Sequence, residues 1–123
     1  MIDLSGFIGT ERYHRFNLLS RDLVCTDGVI YLFNEGGCFW FGDIIASYQN
    51  KLRNNEVFQV WKLKKYDCLT NPKKTFWKVT CEDGNKNIII IQDIEYSDFE
   101  EKTGLKEIEL YLENGVIMLP SER

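Results

Sequence analysis

The clearest pattern of apolar and polar positions falls at residues 41–52. Phe41, Ile44, Ile45, Tyr48 and Leu52 recur there at i, i+3, i+4, i+7 and i+11, opposite Asp43, Ser47, Asn50 and Lys51. A single apolar stripe of helical period predicts an amphipathic helix packed on a core. Residues 26–37 predict a helix before it: Thr26 or Asp27 offers a side-chain oxygen to cap the start, and Gly36-Gly37 takes the positive φ that ends it. The two helices meet at a glycine corner, and the second ends near the polar Arg53-Asn54-Asn55.

Beyond the corner the period changes from helical to extended. Residues 57–66 mix Val57, Phe58, Val60, Trp61 and Leu63 with Lys62, Lys64 and Lys65, a strand whose alternation slips near its end through a bulge or termination. Pro72 places a turn at 70–74. Trp77, Val79 and Cys81 then alternate with Lys78, Thr80 and Glu82, and Asp83-Gly84-Asn85-Lys86 leads to four isoleucines at 88–91, a hairpin signal. The unbroken isoleucine run predicts a strand covered on both faces and hence central in its sheet. Residues 96–104 form a polar connection with room for a helical turn. Ile108, Leu110 and Leu112 alternate with Glu107, Glu109 and Tyr111, and Asn114-Gly115 leads into Val116: a second hairpin, with a helix over 105–112 as the rival. Residues 1–25 leave their secondary structure open, although Leu18, Leu19, Leu23 and Val24 require burial. The fold expected is α+β: an N-terminal arm and two helices packed on an antiparallel sheet of about four to five strands, in one domain spanning 1–123.

Composition narrows the class. Hydrophobic residues make up 44% and aromatics 14%, which suits a globular chain able to bury a core without staples. No apolar run approaches the roughly 18 residues of a membrane helix, and residues 1–5 lack a basic region before an apolar one, so a soluble, cytoplasmic protein is expected. Cys25, Cys38, Cys68 and Cys81 contain no CxxC pair and lie far from the only histidine, His14. Four reduced, mostly buried thiols are expected rather than a metal site or disulfides, with no cofactor.

The net charge of −4 conceals a division. Residues 51–78 carry eight cations against two acids, net +6, and residues 82–113 carry ten acids against three lysines, net −7. Such asymmetry steers a charged partner, or records neighbouring strands that pair opposite charges across an exposed face.

Four candidate sites follow. Glu11, Tyr13, His14 and Arg15 put an acid and a base close together, but no nucleophile with an orienting partner can be placed beside them, and a surface arm explains them better. Thr26-Asp27-Gly28 with Gly36-Gly37 has the glycines of a phosphate-binding turn but neither GxGxxG nor GxxxxGK[ST], so capping accounts for it. Trp61, Lys62, Lys64, Lys65, Lys73, Lys74 and Lys78, interleaved with Tyr66, Phe76 and Trp77, have the composition of a single-stranded nucleic-acid site; the aromatics of a strand are also its usual core. Asp93, Glu95, Asp98, Glu100, Glu101, Glu107 and Glu109 could present carboxylates in place of phosphates to a basic channel on a partner, or form a solvated edge. Asp43, Ser47 and Gln49 lie away from the apolar stripe and have no evident structural role.

Four short motifs together carry a resemblance. Phe7, Gly9, Thr10 and Glu11 (FxGTE), Thr26-Asp27-Gly28-Val29 (TDGV), Ile45-Ala46-Ser47-Tyr48-Gln49 (IASYQ) and Met118-Leu119-Pro120-Ser121-Glu122 (MLPSE) are similar to a family of small bacterial, plasmid and phage proteins classified only as a domain of unknown function. The resemblance covers nearly the whole chain. It implies a setting rather than a mechanism: proteins of phages and mobile elements without known catalysis often inhibit host defence, as anti-CRISPR proteins do. The expected function is a non-enzymatic protein-binding module that docks a charged face, through the acidic series with Asp43, Ser47 and Gln49, on the nucleic-acid-binding surface of a host protein or ribonucleoprotein complex. The alternative is a single-stranded nucleic-acid-binding protein using the basic and aromatic stretch 61–78.

Overall fold

A computed structural model describes residues 2–16, 23–52, 57–70 and 74–123, with residue 50 described by its backbone alone. The fold is α+β. Strand β1 (Val24–Cys25) runs into helix α1 (Asp27–Gly36), followed by α2 (Phe39–Ser47) and the short α3 (Gln49–Leu52). Strands β2 (Phe58–Asp67), β3 (Thr75–Glu82) and β4 (Ile88–Ile94) form a meander. Helix α4 (Phe99–Thr103), strands β5 (Glu107–Glu113) and β6 (Val116–Met118), and a final 3-10 turn (Pro120–Glu122) complete the chain. Leu18 and Leu19, expected to be buried, the helix end at 53–55 and most of the 70–74 turn lie outside the described residues.

The glycine corner forms as expected. Gly37 takes φ +58° and closes α1, and two residues later α2 begins. Gly42 allows α2 to approach α1 and the arm, because a Cβ there would stand 2.8 Å from the Phe33 ring and 2.7 Å from the Phe16 ring. The stripe helix is shorter than its period suggests and breaks at Tyr48. The Ser47 hydroxyl donates to the Ile44 carbonyl (2.7 Å) and the Gln49 amide to the Ile45 carbonyl (2.9 Å), taking acceptors that a continuing helix would give to its own backbone.

The sheet has six strands among the described residues rather than four or five, in the order β1-β6-β5-β2-β3-β4, and it is mixed, because β1 pairs parallel to β6. The second hairpin is present: Asn114 (φ 53°) and Gly115 (φ 76°) make the tight turn between β5 and β6, and residues 107–113 are strand rather than helix. The isoleucine strand departs from expectation. Among the described residues β4 is not central but an outer strand, bonded only to β3. Ile89, Ile90 and Ile94 pack against the core, whereas Ile88 and Ile91 are 55% and 59% exposed on the other face. An apolar run reports low solubility of a segment, not two covering layers. The irregularity in strand pairing also lies elsewhere: not near Lys64 and Lys65 but at Cys81 and Glu82, opposite residues 88–90. The apparent slip arises because Lys65 points to the helix side and reaches Glu100 on α4 (3.4 Å).

The helices cover one face of the sheet. Trp61, Leu63, Trp77, Val79, Cys81, Leu110, Leu112 and Ile117 bury against Val29, Leu32, Phe33, Phe41, Ile45 and Phe99. Each large apolar side chain buried this way stabilises the fold by about 1.5–3 kcal/mol. Gln59, 2% exposed, is tolerated there because its oxygen accepts from the Trp61 indole (2.9 Å) and its amide exchanges hydrogen bonds with Gln49 (2.9 and 3.0 Å). The opposite face, bearing Phe58, Lys62, Lys64, Tyr66, Phe76, Lys78, Thr80, Glu107, Glu109 and Tyr111, has no helix on it among the described residues, and every one of these side chains is at least partly exposed.

Candidate functional site

Three of the four motifs converge at the start of α1. Thr26 sits at the N-cap with extended backbone, but its side chain does not cap the helix. Its hydroxyl donates instead to Oε1 of Glu122 (2.6 Å), and Oε2 of that carboxylate accepts from the Gly28 amide (3.1 Å). The expected local cap is thus replaced by an acid from the far end of the chain, which also meets the partial positive charge of the helix start. Thr10 takes the neighbouring Asp27 amide on its hydroxyl (3.0 Å) and donates to the Arg12 carbonyl (2.6 Å). Gly28 is required by contact rather than by dihedral: a Cβ would stand 2.6 Å from both Glu122 Oε1 and Leu119 Cδ1. Ser121 donates to the Phe7 carbonyl (2.6 Å), and the Phe7 ring packs on Tyr31.

His14 finds its acid here, and it is Asp27 rather than Glu11. Nε2 of His14 lies 2.8 Å from Oδ1 of Asp27, while Oδ2 accepts from the Glu11 amide (2.8 Å). These bonds, the one to His14 first, hold the Asp27 carboxyl down to about 2, so it is ionised and Nε2 carries the proton. A carboxylate-oriented imidazole is half of a nucleophilic triad. The other half is not met among the described residues: Cys25, whose backbone pairs with that of His14, has its thiol pushed up to about 12 by burial and then by the Glu122 and Asp27 charges, and the Thr10 hydroxyl is committed to Arg12. The pair pins the arm to α1. Tyr13 and Arg15, from the same candidate site, are exposed.

The IASYQ motif also turns inward. Tyr48 donates to Gln92 on β4 (2.9 Å), and Gln49 joins Gln59. Of the three polar residues without an evident role, Ser47 and Gln49 therefore tie off helix carbonyls, and Asp43 is exposed. Cys25, Cys38 and Cys81 are buried and Cys68 is half-buried; burial pushes Cys38 up to about 12. Among the described residues no group of three or more His, Cys, Asp or Glu side chains is arranged to hold a metal ion.

The charged stretches resolve on the open sheet face. Lys62 and Lys64 of β2 stand beside Glu109 and Glu107 of β5, and Lys78 of β3 stands beside Asp93 of β4. Lys62 reaches Glu107 at 3.7 Å. Basic and acidic segments are thus neighbouring strands, the second of the two meanings the sequence allowed. The remaining acids separate: Glu100 pairs with Lys65 and Asp98 with Lys102 (3.2 Å), while Glu95 and Glu101 are exposed. The basic set divides too. Trp61 and Trp77 are buried under the helices, Lys65 faces that side, Lys74 is exposed at the strand start, and Lys73 lies outside the described residues.

What remains together is Lys64, Lys78, Tyr66 and Phe76. Tyr66 and Phe76 stack with centroids 5.7 Å apart and planes 19° apart. Lys64 and Lys78 are directly opposed cross-strand, with their ammonium groups 5.3 and 5.6 Å from the Tyr66 ring centre. Opposed like charges destabilise a strand pair. The strand register creates this pair, and no spacing within the sequence signals it.

A family model matches residues 2–123. The chain belongs to DUF6876, a family of unknown function. No curated protein and no solved structure matches it. For this DUF6876 chain the four motifs describe the internal joints of the fold. Among its described residues no helix is long and apolar enough to cross a membrane.

Proposed function

We propose that this protein is a small non-enzymatic protein-binding module whose contact surface is the open sheet face, centred on Lys64, Lys78, Tyr66 and Phe76. The observation that carries this reading is the opposed lysine pair over stacked rings. A like-charge pair lowers stability where a carboxylate or neutral residue would not, and such local conflicts belong to sites that serve a partner. The rings offer flat apolar area at low entropic cost, and the lysines offer donors to an acidic side chain of the partner.

The surroundings favour a protein over a polynucleotide. Lys62, Lys64, Lys78 and Arg123 share this face with Glu82, Asp93, Glu107, Glu109 and Glu113, a balance of four cations to five acids. A phosphate backbone crossing the sheet would meet acidic columns on both sides of the lysines, whereas an isolated carboxylate fits between them. The partner class to test first is a host defence ribonucleoprotein, the setting that the motif resemblance implies, with Glu107 and Glu109 flanking the lysine pair.

Affinity capture from bacterial lysates, with charge reversal at Lys64 and Lys78 and separately at Glu107 and Glu109, tests the reading. Loss of the captured protein on reversal at Lys64 and Lys78 supports it. Capture indifferent to both sets would refute it. A salt-sensitive gel shift of single-stranded DNA or RNA, abolished by the lysine changes, would favour the nucleic-acid alternative instead.

A further inference from the structure

Resting on the reading of the open sheet face as the contact surface, we infer that what the partner seats there is a short acidic and aromatic segment. Its carboxylate lies between Lys64 and Lys78, and an aromatic side chain a few residues away along the same extended segment enters the cleft beside Phe76.

The call for a carboxylate comes from how the neighbouring acids are used. Lys64 stands between Lys78 on β3 and Glu107 on β5, yet Glu107 reaches diagonally to Lys62 (3.7 Å). Among the described residues no ion pair reaches Lys64 or Lys78, and their ammonium groups rest over the Tyr66 and Phe76 rings instead. Directly opposed side chains in a strand pair leave the sheet about 5 Å apart at Cβ, so one carboxylate can bond both ammonium groups and remove their repulsion. An acid supplied from outside does what no acid of the fold does here.

The call for an aromatic comes from the cleft that shares Phe76 with this cluster. Where the chain turns between β2 and β3, Cys68, Lys74, Thr75, Phe76, Glu95 and Tyr96 line a cleft of about 530 Å³. That lies within the range of about 300–1,000 Å³ of pockets that hold a ligand. Tyr96 is 80% exposed, so one of its two rings is apolar surface that the fold leaves open. Lys74 and Glu95 bring one charge of each sign, which favours a neutral group in the cleft. A ring from the partner buries a large area there with few rotatable bonds and pairs with the rings already present.

The separation of the two subsites sets the spacing within the segment. Along β3, Phe76 stands two positions before Lys78, and Lys74 stands four before it. At about 3.3 Å per extended residue, the cleft spans about 7 to 13 Å from the lysine pair. A segment lying extended along β3 therefore carries its aromatic about two to four residues from its acid.

A random-peptide display library selected on the immobilised wild-type protein tests this. Binding of the enriched peptides is then measured by fluorescence anisotropy against the wild type, against Lys64→Gln combined with Lys78→Gln, and against Tyr96→Ala. All three side chains are at least partly exposed, and circular dichroism verifies that the variants fold. The enriched peptides should pair Asp or Glu with Phe, Tyr or Trp about two to four residues away. Each variant should bind them at least about tenfold more weakly than the wild type. Peptides that need the lysines but lack the aromatic, or that bind Tyr96→Ala as tightly as the wild type, would overturn this inference and leave the contact surface in place. No enrichment, or enriched peptides indifferent to the lysine changes, would also overturn it, and lysate capture with Lys64 and Lys78 reversed then decides separately whether the surface reading stands.

Discussion

The start of α1 and the open sheet face are both rich in polar groups, yet they use them in opposite ways. At the helix start, Thr10, Thr26, Asp27, Ser121 and Glu122 direct their hydrogen bonds to one another or to nearby backbone, over distances of 2.6–3.2 Å. On the sheet face, Lys64 and Lys78 oppose each other and lean on rings at more than 5 Å. The first region joins three chain segments into one fold. The second retains charge that the fold does not require. The difference teaches that a dense cluster of polar residues can serve as a joint of the fold, while the charge proposed to meet a partner lies where side chains are left without such mutual bonds.

The sharpest way to break this contrast is to remove the joint. Glu122→Ala leaves the Thr26 hydroxyl and the Gly28 and Leu119 amides without their acceptor, and should cost about 2–3 kcal/mol in urea denaturation, in line with loss of a charged acceptor. A loss under about 0.5 kcal/mol, the level of an ordinary surface change, would show that Glu122 is not a joint. Gly28→Ala gives a result of unexpected sign. In a helix alanine is normally favoured over glycine by about 1 kcal/mol, but here its Cβ collides with Glu122 and Leu119, so we expect a net loss of about 1–2 kcal/mol.

Acidity probes the same region more gently. The Asp27 carboxyl is lowered in the fold, so its contribution is complete above the ordinary carboxylate value near 4 and is lost as pH falls toward about 2. The thermal midpoint should therefore fall more steeply between pH 4 and 2 in the wild type than in Asp27→Asn. Equal slopes would remove the His14 and Asp27 pair from the account. At the alkaline end the sign reverses: Cys25 and Cys38 are raised to about 12, so the stability they contribute is present below their ordinary value of 9.0 and declines above it as the unfolded thiols ionise. In the native protein a thiol reagent should modify half-buried Cys68 well before the three buried cysteines.

The two helices about the glycine corner, the five β-segments between 57 and 118 and the Asn-Gly hairpin were legible in the sequence, because each depends on local period and turn chemistry. What was not legible depends on pairing. The edge position of β4 is invisible in four isoleucines, since a run reports no neighbours. The parallel strand β1 is two residues long and gains its structure from β6, some ninety residues later in the chain. Glu122 as the cap of α1 and Asp27 as the partner of His14 bridge sequence separations of 94 and 13 residues, beyond any capping pattern. The opposition of Lys64 and Lys78 follows from the register of a hairpin whose connecting turn carries no pairing signal of its own.

On the sheet face the smallest effects on stability are expected. Lys62→Ala removes a partly exposed 3.7 Å pair with Glu107 and should change stability by no more than about 0.5 kcal/mol. Lys64→Gln relieves an opposed like charge and should leave stability unchanged or slightly higher. A large loss from either would make this face part of the scaffold.

The most direct test sets the two regions against each other in one capture experiment, at a temperature where all variants are folded. Lys64→Glu with Lys78→Glu should abolish recovery of the partner that the wild type retains, while Glu122→Ala, although less stable, should recover it in full. Recovery lost with Glu122→Ala and kept with the lysine reversals would contradict the account.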